Sequence, residues 1–158
     1  GGLMLTPDRG PMVIEWNCRF GDPETQAVLP RMQDDLLPWL LAAAQGRLPE
    51  RTPTWLPGLA VCVVLAAAGY PGKVRGGDAV AGLADNGQLA GTGADLLVFH
   101  AGTKREGHGL VTGGGRVLGL TALGPDLDSA RAKAYAGIDR ISWPGMHYRK
   151  DIGLRGKT

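Results

Sequence analysis

The 158-residue chain is 44% apolar and 20% charged, as is usual for a globular domain that buries a core. Its 17 basic and 15 acidic residues are interspersed and give a net charge of +2, which indicates neither a nucleic-acid-binding surface nor a basic membrane-binding patch. The longest apolar run, residues 59–68, is about half as long as a membrane-spanning helix, and the N-terminus lacks a signal-type pattern. We therefore expect a soluble, cytoplasmic protein without a nucleic-acid or membrane partner.

The first predicted elements are a β-hairpin and a helix. Residues Gly2–Thr6 and 11–18 read as two strands joined by a turn with proline early and glycine late. A helix is predicted next because Asp34 is a good N-cap, an apolar run occupies residues 36–41, and Gly46 follows as a stop signal.

A proline-rich stretch separates these elements from the rest of the chain. Its three prolines, Pro49, Pro53 and Pro57, interrupt any regular pattern. The predicted boundaries are therefore a first unit at residues 1–47, a linker at 48–58 and a second unit at 59–158.

The second unit is predicted to be α+β. Glycine-rich turns separate four apolar runs that are typical of a small antiparallel sheet, at residues 60–67, Leu96–His100, 110–112 and 116–122. A helix follows Pro125 and Asp126, since apolar residues recur three and four positions apart, at Leu127, Ala130, Ala134, Ile138 and Ile141. One face of this helix should cover the sheet, and Gly137 falls inside it.

The cysteines and histidines do not form a recognisable metal or redox motif. Cys18 and Cys62 lie in predicted strands and lack the spacing of a zinc site, so we predict two buried free thiols. His100, His108 and His147 are scattered, without the helical pair of a metalloprotease.

Two oxygen-bearing side chains fall on one face of the second predicted strand. Alternation places Glu15 and Asn17 on one side, about 7 Å apart, and apolar residues on the other. A carboxylate and a carboxamide at this spacing can reach hard cations that also bind phosphate oxygens. The alternative is an ordinary strand with one solvated face.

A polar loop with a fixed turn follows this strand. Arg19 is well placed to hold a phosphate or a carboxylate through its planar fork. The alternative is a loop that caps the next helix, with Asp22 as the N-cap and Pro23 at the first helical position.

Residues 15–26, EWNCRFGDPETQ, closely resemble the signature of the phosphoribosylamine–glycine ligases of the ATP-grasp superfamily. The resemblance continues in the family's order through LPR at 29–31, DLL at 35–37, AVCVVLA at 60–66, GYPG at 69–72, VFHAGT at 98–103, GGRVL at 114–118 and YRKDIG at 148–153. It implies the end of an ATP-grasp domain, made of the hairpin and helices, followed by the small C-terminal domain of the ligase.

The resemblance implies an activity in purine biosynthesis. ATP phosphorylates the carboxylate of glycine, and the amine of 5-phosphoribosylamine attacks the glycyl phosphate to give glycinamide ribonucleotide, ADP and phosphate. The expected ligands are ATP, glycine, 5-phosphoribosylamine and Mg²⁺ or Mn²⁺.

The same resemblance assigns roles to eight residues. Glu15 and Asn17 are the implied metal ligands, and Arg19 and Asp22 the implied catalytic residues. Glu24, Arg116, Arg149 and Lys150 are the implied substrate-binding residues. The alternative for Arg116, Arg149 and Lys150 is ordinary surface charge. The chain departs from the family pattern at Trp16, at Gly137 and over residues 154–158.

The family's enzyme carries an N-terminal domain, an ATP-covering lobe and most of a central domain ahead of these residues. We therefore expect the chain alone to be inactive and to need that N-terminal portion as a partner, since positioning dominates phosphoryl transfer. The alternatives are a non-catalytic docking or assembly module that pairs with a separate nucleotide-binding half, or an ATP-grasp ligase that uses a different amine.

Overall fold

A computed structural model describes residues 1–154 as an α+β protein; residues 155–158, which include most of the departure noted at the C-terminus, lie outside the described residues. The strands are β1 (Gly2–Thr6), β2 (Gly10–Glu15), β3 (Leu59–Ala66), β4 (Ala79–Val80), β5 (Leu96–His100), β6 (Thr103–Glu106), β7 (Gly109–Thr112), β8 (Arg116–Gly124) and β9 (His147–Tyr148). The helices are α1 (Glu24–Val28), α2 (Leu36–Ala44) and α3 (Leu127–Ile138), and a 3-10 turn covers Leu29–Arg31. The predicted fold class is confirmed. None of the helices in residues 1–154 is long and apolar enough to span a bilayer.

The N-terminal hairpin consists of β1 and β2, which pair with each other in a two-stranded antiparallel sheet. Strand β2 ends at Glu15, so Asn17 and Cys18 lie beyond it rather than inside it. Cys18 is exposed, and the prediction of a buried thiol in a strand is wrong at this position. Cys62 in β3 is half-buried, and burial raises the pKa of its thiol, as expected for an unreactive cysteine.

The N-cap of helix α2 is Asp35, one residue after the predicted cap, Asp34. The carboxylate of Asp35, not that of Asp34, accepts a hydrogen bond from the backbone N–H of Leu37 at 2.9 Å. Asp34 instead accepts the backbone N–H of Thr54 at 2.8 Å and pairs with Arg51 at 3.0 Å. The proline-rich segment is therefore fastened to the residues that precede α2.

The core lies between a four-stranded antiparallel sheet, in the order β5-β8-β3-β9, and helix α3. In β3, buried Val61, Val63 and Leu65 alternate with half-buried neighbours, as a strand with one face in the core requires. Helix α3 starts at its predicted cap, where the carboxylate of Asp126 accepts the N–H of Ser129 at 2.7 Å.

Gly137 allows α3 to pack closely on the sheet. A Cβ at this position would lie 2.9 Å from Cδ2 of Leu120 and 3.0 Å from Cδ2 of Leu96. The glycine that departs from ordinary helix propensity is thus explained by a close helix–sheet contact.

A second, three-stranded sheet, in the order β4-β7-β6, was not separated from the first by the sequence prediction. The predicted run 110–112 belongs to this sheet, as β7, and β4 and β6 were not predicted at all. The glycines at 113–115 form the connection from β7 to β8, which lies in the other sheet.

The segment that follows the hairpin lies on the face of the four-stranded sheet opposite α3. The hydroxyl of Thr121, a fully buried residue of β8, donates to the carbonyl of Gln26 in α1 at 2.9 Å. This contact places residues 20–31 beside the C-terminal unit, and it brings the two parts of the candidate site together.

Candidate functional site

Three side chains of the signature form a hydrogen-bonded row at the end of the hairpin. Asn17 Nδ2 donates to Glu15 Oε1 at 3.2 Å, and Arg19 Nη1 donates to Asn17 Oδ1 at 2.7 Å. Arg19 is also anchored to the backbone, because Nη1 donates to the carbonyl of Phe20 at 3.1 Å. Although β2 already ends at Glu15, the side chains of Glu15, Asn17 and Arg19 lie together.

The donor set of this row fits a hard divalent cation. Glu15 offers a carboxylate at the surface, beside the carboxamide of Asn17, whose Oδ1 accepts from Arg19. Carboxylate and carboxamide oxygens are ligands of the kind that Mg²⁺ prefers. Within residues 1–154 no group of three or more His, Cys, Asp or Glu side chains is arranged to hold a metal ion. A cation here would take its remaining ligands from phosphate oxygens and water, as Mg²⁺ commonly does.

Asp22 joins the signature loop to the C-terminal sheet. Its carboxylate lies 3.3 Å from Nη2 of Arg116, and Arg116 Nη1 donates to the Asp22 carbonyl at 2.9 Å, across 94 positions of sequence. The sequence offered no signal for this pairing, although both residues were assigned to the site separately.

Asp22 does not act as the N-cap of α1. That position belongs to Pro23, which makes no side-chain capping bond, and α1 itself begins at Glu24. Asp22 Oδ1 instead accepts from Nε2 of Gln26 at 2.9 Å. The capping alternative is therefore wrong in both of its assignments.

Glu24 lies in the first turn of α1, with its carboxylate folded back over Gly21. A Cβ on Gly21 would collide with that carboxylate, so the glycine gives it room. Glu24 is exposed.

An open cleft of about 470 Å³ lies beside this loop, between β3, β9 and the turn before residue 72. It is lined by Val64, Ala66, Tyr70, Pro71, Arg116, His147, Tyr148 and Arg149. Two of the three cationic residues assigned to substrate binding, Arg116 and Arg149, thus line one cleft. Lys150 is exposed and does not line it.

Arg149 is held as a charged fork at the rim of the cleft. Its Nε and Nη2 atoms donate to the two carboxylate oxygens of Asp151, at 3.0 and 2.7 Å. This hydrogen bonding raises the pKa of Arg149 above its usual value, so the guanidinium stays protonated.

Sequence reasoning missed the uncharged lining of this cleft. Tyr70 and Tyr148 fall within matched segments, GYPG and YRKDIG, but no role was assigned to them. His147 was set aside as a scattered histidine, whereas its Nε2 lies 3.1 Å from the carbonyl oxygen of Tyr70 and so links the two sides of the cleft.

Residues 60–155 match the family described as "Phosphoribosylglycinamide synthetase, C domain". The chain belongs to this family. The similarity to known phosphoribosylglycinamide synthetases extends beyond that domain to nearly the whole chain. Phosphoribosylamine–glycine ligase from Synechocystis sp. is 50% identical over 153 residues, covering 96% of this chain and 35% of that protein. The ligase from Caulobacter vibrioides is 51% identical over 156 residues, covering 98% of this chain and 35% of that protein.

A solved structure shows the same fold. The crystal structure of phosphoribosylamine–glycine ligase from Thermotoga maritima matches 96% of this chain with a TM-score of 0.74 and 35% identity. The chain covers 35% of that protein, as it does of the curated relatives above. The family resemblance inferred from the signature is confirmed, and the chain corresponds to the C-terminal part of such a ligase.

Proposed function

We propose that this chain forms the C-terminal part of the active site of an ATP-dependent phosphoribosylamine–glycine ligase. The full reaction would join glycine to 5-phosphoribosylamine through glycyl phosphate, giving glycinamide ribonucleotide, ADP and phosphate for purine biosynthesis. The observation that carries the proposal is the contact between Asp22 and Arg116, because it joins the loop of the oxygen ligands to the cationic cleft.

In this proposal Glu15 and Asn17 hold one or two Mg²⁺ or Mn²⁺ ions. Such ions neutralise charge on bridging phosphate oxygens during phosphoryl transfer. Arg19 reaches the same place through Asn17 and binds an anionic oxygen of the reacting group. Asp22 takes part in catalysis by holding Arg116 in a fixed orientation rather than by moving a proton.

The cleft would bind the phosphate of 5-phosphoribosylamine. Arg116 and Arg149 supply two guanidinium groups, which suit a phosphate geometrically and electrostatically. Lys150 adds a nearby positive charge from outside the cleft, and Glu24 is the carboxylate that we assign to the amine of the substrate.

We also propose the boundaries 1–47, 48–58 and 59–158 for the two units and their linker. Their support is the distribution of burial: none of residues 1–58 is buried, whereas the buried core starts at Val61. The isolated chain would then be inactive, because the nucleotide-binding parts belong to the N-terminal portion of the ligase.

A docking or assembly module remains a second candidate function, favoured by one observation. The hairpin and the residue that follows it expose large apolar side chains, with Leu5 76% and Trp16 73% exposed, which is typical of a surface covered by another part of a protein. ADP release separates the two functions. The purified chain is assayed with ATP, Mg²⁺, glycine and freshly generated 5-phosphoribosylamine, with and without a separately expressed N-terminal portion of the ligase.

Activity only in the mixture supports a divided active site. If the mixture is inactive although the two parts bind each other and an intact ligase is active in the same assay, the docking module is favoured.

The metal assignment is tested in a full-length ligase that carries this sequence. Glu15→Gln keeps the size of the side chain but removes its charge, and we expect turnover to fall by roughly a hundredfold, with a higher Mg²⁺ requirement. Glu50→Gln, an exposed glutamate of the proline-rich segment, is the matched control and should leave both unchanged. Unaltered turnover and metal dependence in Glu15→Gln would contradict the assignment.

A further inference from the structure

Side chains of helix α3, rather than a neighbouring strand, bind the backbone of the segment that carries Arg149 and Lys150. Strand β9 ends at Tyr148, so the carbonyls that follow have no partner strand in the sheet. Two side chains of α3 bind them instead. Tyr135 Oη donates to the carbonyl of Arg149 at 2.7 Å, and Arg131 donates from Nη2 to the carbonyl of Lys150 at 2.8 Å and from Nε to that of Ile152 at 3.0 Å.

The Arg131 side chain is itself held in place by an aromatic ring packed against it. Its guanidinium lies over the ring of Tyr135, 4.6 Å from the ring centroid. The Tyr135 ring in turn packs against that of Tyr148, with centroids 6.1 Å apart. Gly153, at a φ of 76°, lies directly against Arg131, since a Cβ there would be 3.5 Å from its Cδ. The fork of Arg131 therefore has one orientation in which both of its hydrogen bonds and its stacking contact are made.

Lysine cannot reproduce this arrangement. An ammonium group is a point charge on a flexible stem, whereas the guanidinium offers two donors in a fixed plane and a flat face for the ring. An Arg131→Lys change keeps the positive charge but loses the paired bonds to the carbonyls of Lys150 and Ile152.

We infer that Arg131 is a positioning residue for substrate binding, which holds the backbone of residues 149–152 so that the Arg149 guanidinium lies at the cleft. The inference rests on the proposed function, in which Arg149 binds the phosphate of 5-phosphoribosylamine. Arg131 donates its hydrogen bonds to the backbone and acts through Arg149, and Tyr135 assists by binding the carbonyl of Arg149 itself.

The test uses steady-state kinetics in a full-length ligase carrying this sequence, with Arg131→Lys, Arg149→Ala and the double variant. We expect Arg131→Lys to raise KM for 5-phosphoribosylamine roughly fivefold, because misplacing one charge-assisted contact weakens binding by about that factor. The kcat and the KM values for ATP and glycine should stay within about twofold. In the Arg149→Ala background, Arg131→Lys should have a much smaller further effect, since the main contact that it positions is already absent and only Lys150 remains.

Arg140→Lys is the matched control. Arg140 also donates from its guanidinium to a backbone carbonyl, that of Ala90, but it supports a different loop. Its KM values should not change. Tyr135→Phe serves as a milder second variant, which removes only the hydroxyl bonded to Arg149 and should raise the same KM by a smaller factor.

The outcomes separate this inference from the proposed function. An unchanged KM in Arg149→Ala would refute the phosphate-binding role that the proposed function gives to Arg149. If Arg149→Ala raises KM but Arg131→Lys does not, or if the two effects multiply independently, the positioning role is refuted and the proposed function stands. A lower melting temperature with equal changes in all three KM values would assign Arg131 a merely structural role and would also overturn the inference.

Discussion

Residues 1–58 and residues 59–154 differ sharply in how they are stabilised. In the first region no residue is buried, and Leu5, Ile14 and Trp16 are 76%, 63% and 73% exposed. In the second region a continuous core extends from Val61 to Trp143. Yet the first region carries the proposed metal ligands. The proposed metal ligands therefore lie outside the stable core, and contacts such as those of Thr121 with Gln26 and of Arg116 with Asp22 join the two regions.

The two regions should differ most in how much stability they lose when a leucine is replaced by alanine. Leu120→Ala removes a side chain with 0% exposure from the centre of the core and should lower the free energy of unfolding by about 3 kcal/mol. Leu5→Ala, on the hairpin, should change it by less than about 0.5 kcal/mol. Chemical denaturation of the 158-residue chain measures both. Equal losses would mean that the hairpin unfolds as part of the core, contrary to the comparison.

The next largest difference in stability is expected when one glycine with positive φ is replaced by alanine in each region. Gly82→Ala in the second region strains a φ of 94° and forces Cβ into the carbonyl oxygen of Arg140, which should destabilise by about 3 kcal/mol. Gly46→Ala, at a φ of 66° with open space around it, should cost only about 1 kcal/mol, the strain of the left-handed backbone alone. Thermal unfolding followed by circular dichroism compares the variants. A Gly82→Ala protein as stable as the Gly46→Ala protein would contradict the close approach of Gly82 to the carbonyl of Arg140.

The hydrogen bond of Thr121 with Gln26, which joins the two regions, can be removed by a substitution that keeps the shape of the side chain. Thr121→Val removes the hydroxyl that donates to Gln26 and leaves that carbonyl without its donor, at a cost of about 1 kcal/mol. Thr25→Val breaks a similar hydroxyl–carbonyl bond, to Gly21, that lies wholly within the first region. We expect a measurable loss in denaturant unfolding for Thr121→Val alone. A loss of the same size for Thr25→Val would indicate that the two regions unfold as one.

The smallest expected effect concerns two carboxylates near helix starts, one in each region. Hydrogen bonds from Arg51 and then from the Thr54 N–H hold the pKa of Asp34 below its usual 3.8. A folded pKa below the unfolded one stabilises the protein above about pH 4, and this contribution disappears as pH falls through the folded value.

Carboxyl-carbon NMR titration of Arg51→Ala tests this assignment. The titration midpoint of Asp34 should rise toward 3.8, because the guanidinium that contributes most to lowering the pKa of its carboxyl has been removed. Asp126 in the second region, whose pKa is lowered mainly by the backbone N–H of Ser129, is the internal control and should keep its midpoint. A midpoint of Asp34 that does not move would show that Arg51 has no influence on it.

Elements with strong periodicity were predicted well. Strands β3, β5 and β8 and helix α3 were found because each has a continuous apolar run or an apolar face. Strand β6, with the sequence TKRE, was missed because it has no apolar side chain and is exposed over most of its length. Its place is set by pairing with β7, which sequence periodicity does not report.

The candidate site shows the same division. Glu15 and Asn17 are two residues apart, so alternation along the chain predicted that they would lie on one side, and their side chains do meet. Arg19 was placed in the loop that follows, and its bond to Asn17 was not predicted. The pairing of Asp22 with Arg116 joins positions 94 residues apart, and the support of Arg149 by Arg131 depends on how α3 lies against the last strand. Neither can be read from spacing.

By itself the sequence determined the fold class, the covering helix, the family and the candidate site residues, because these depend on local periodicity and on a contiguous signature. Only the tertiary structure decided which of those residues share a cleft, since Arg116 begins β8 whereas Arg149 follows the end of β9. It also decided that a glycine, Gly137, could occupy the last turn of α3, where the helix packs closely on the sheet. The physical reason is that packing distances and long-range charge pairs arise only when distant segments are brought within a few ångströms of each other.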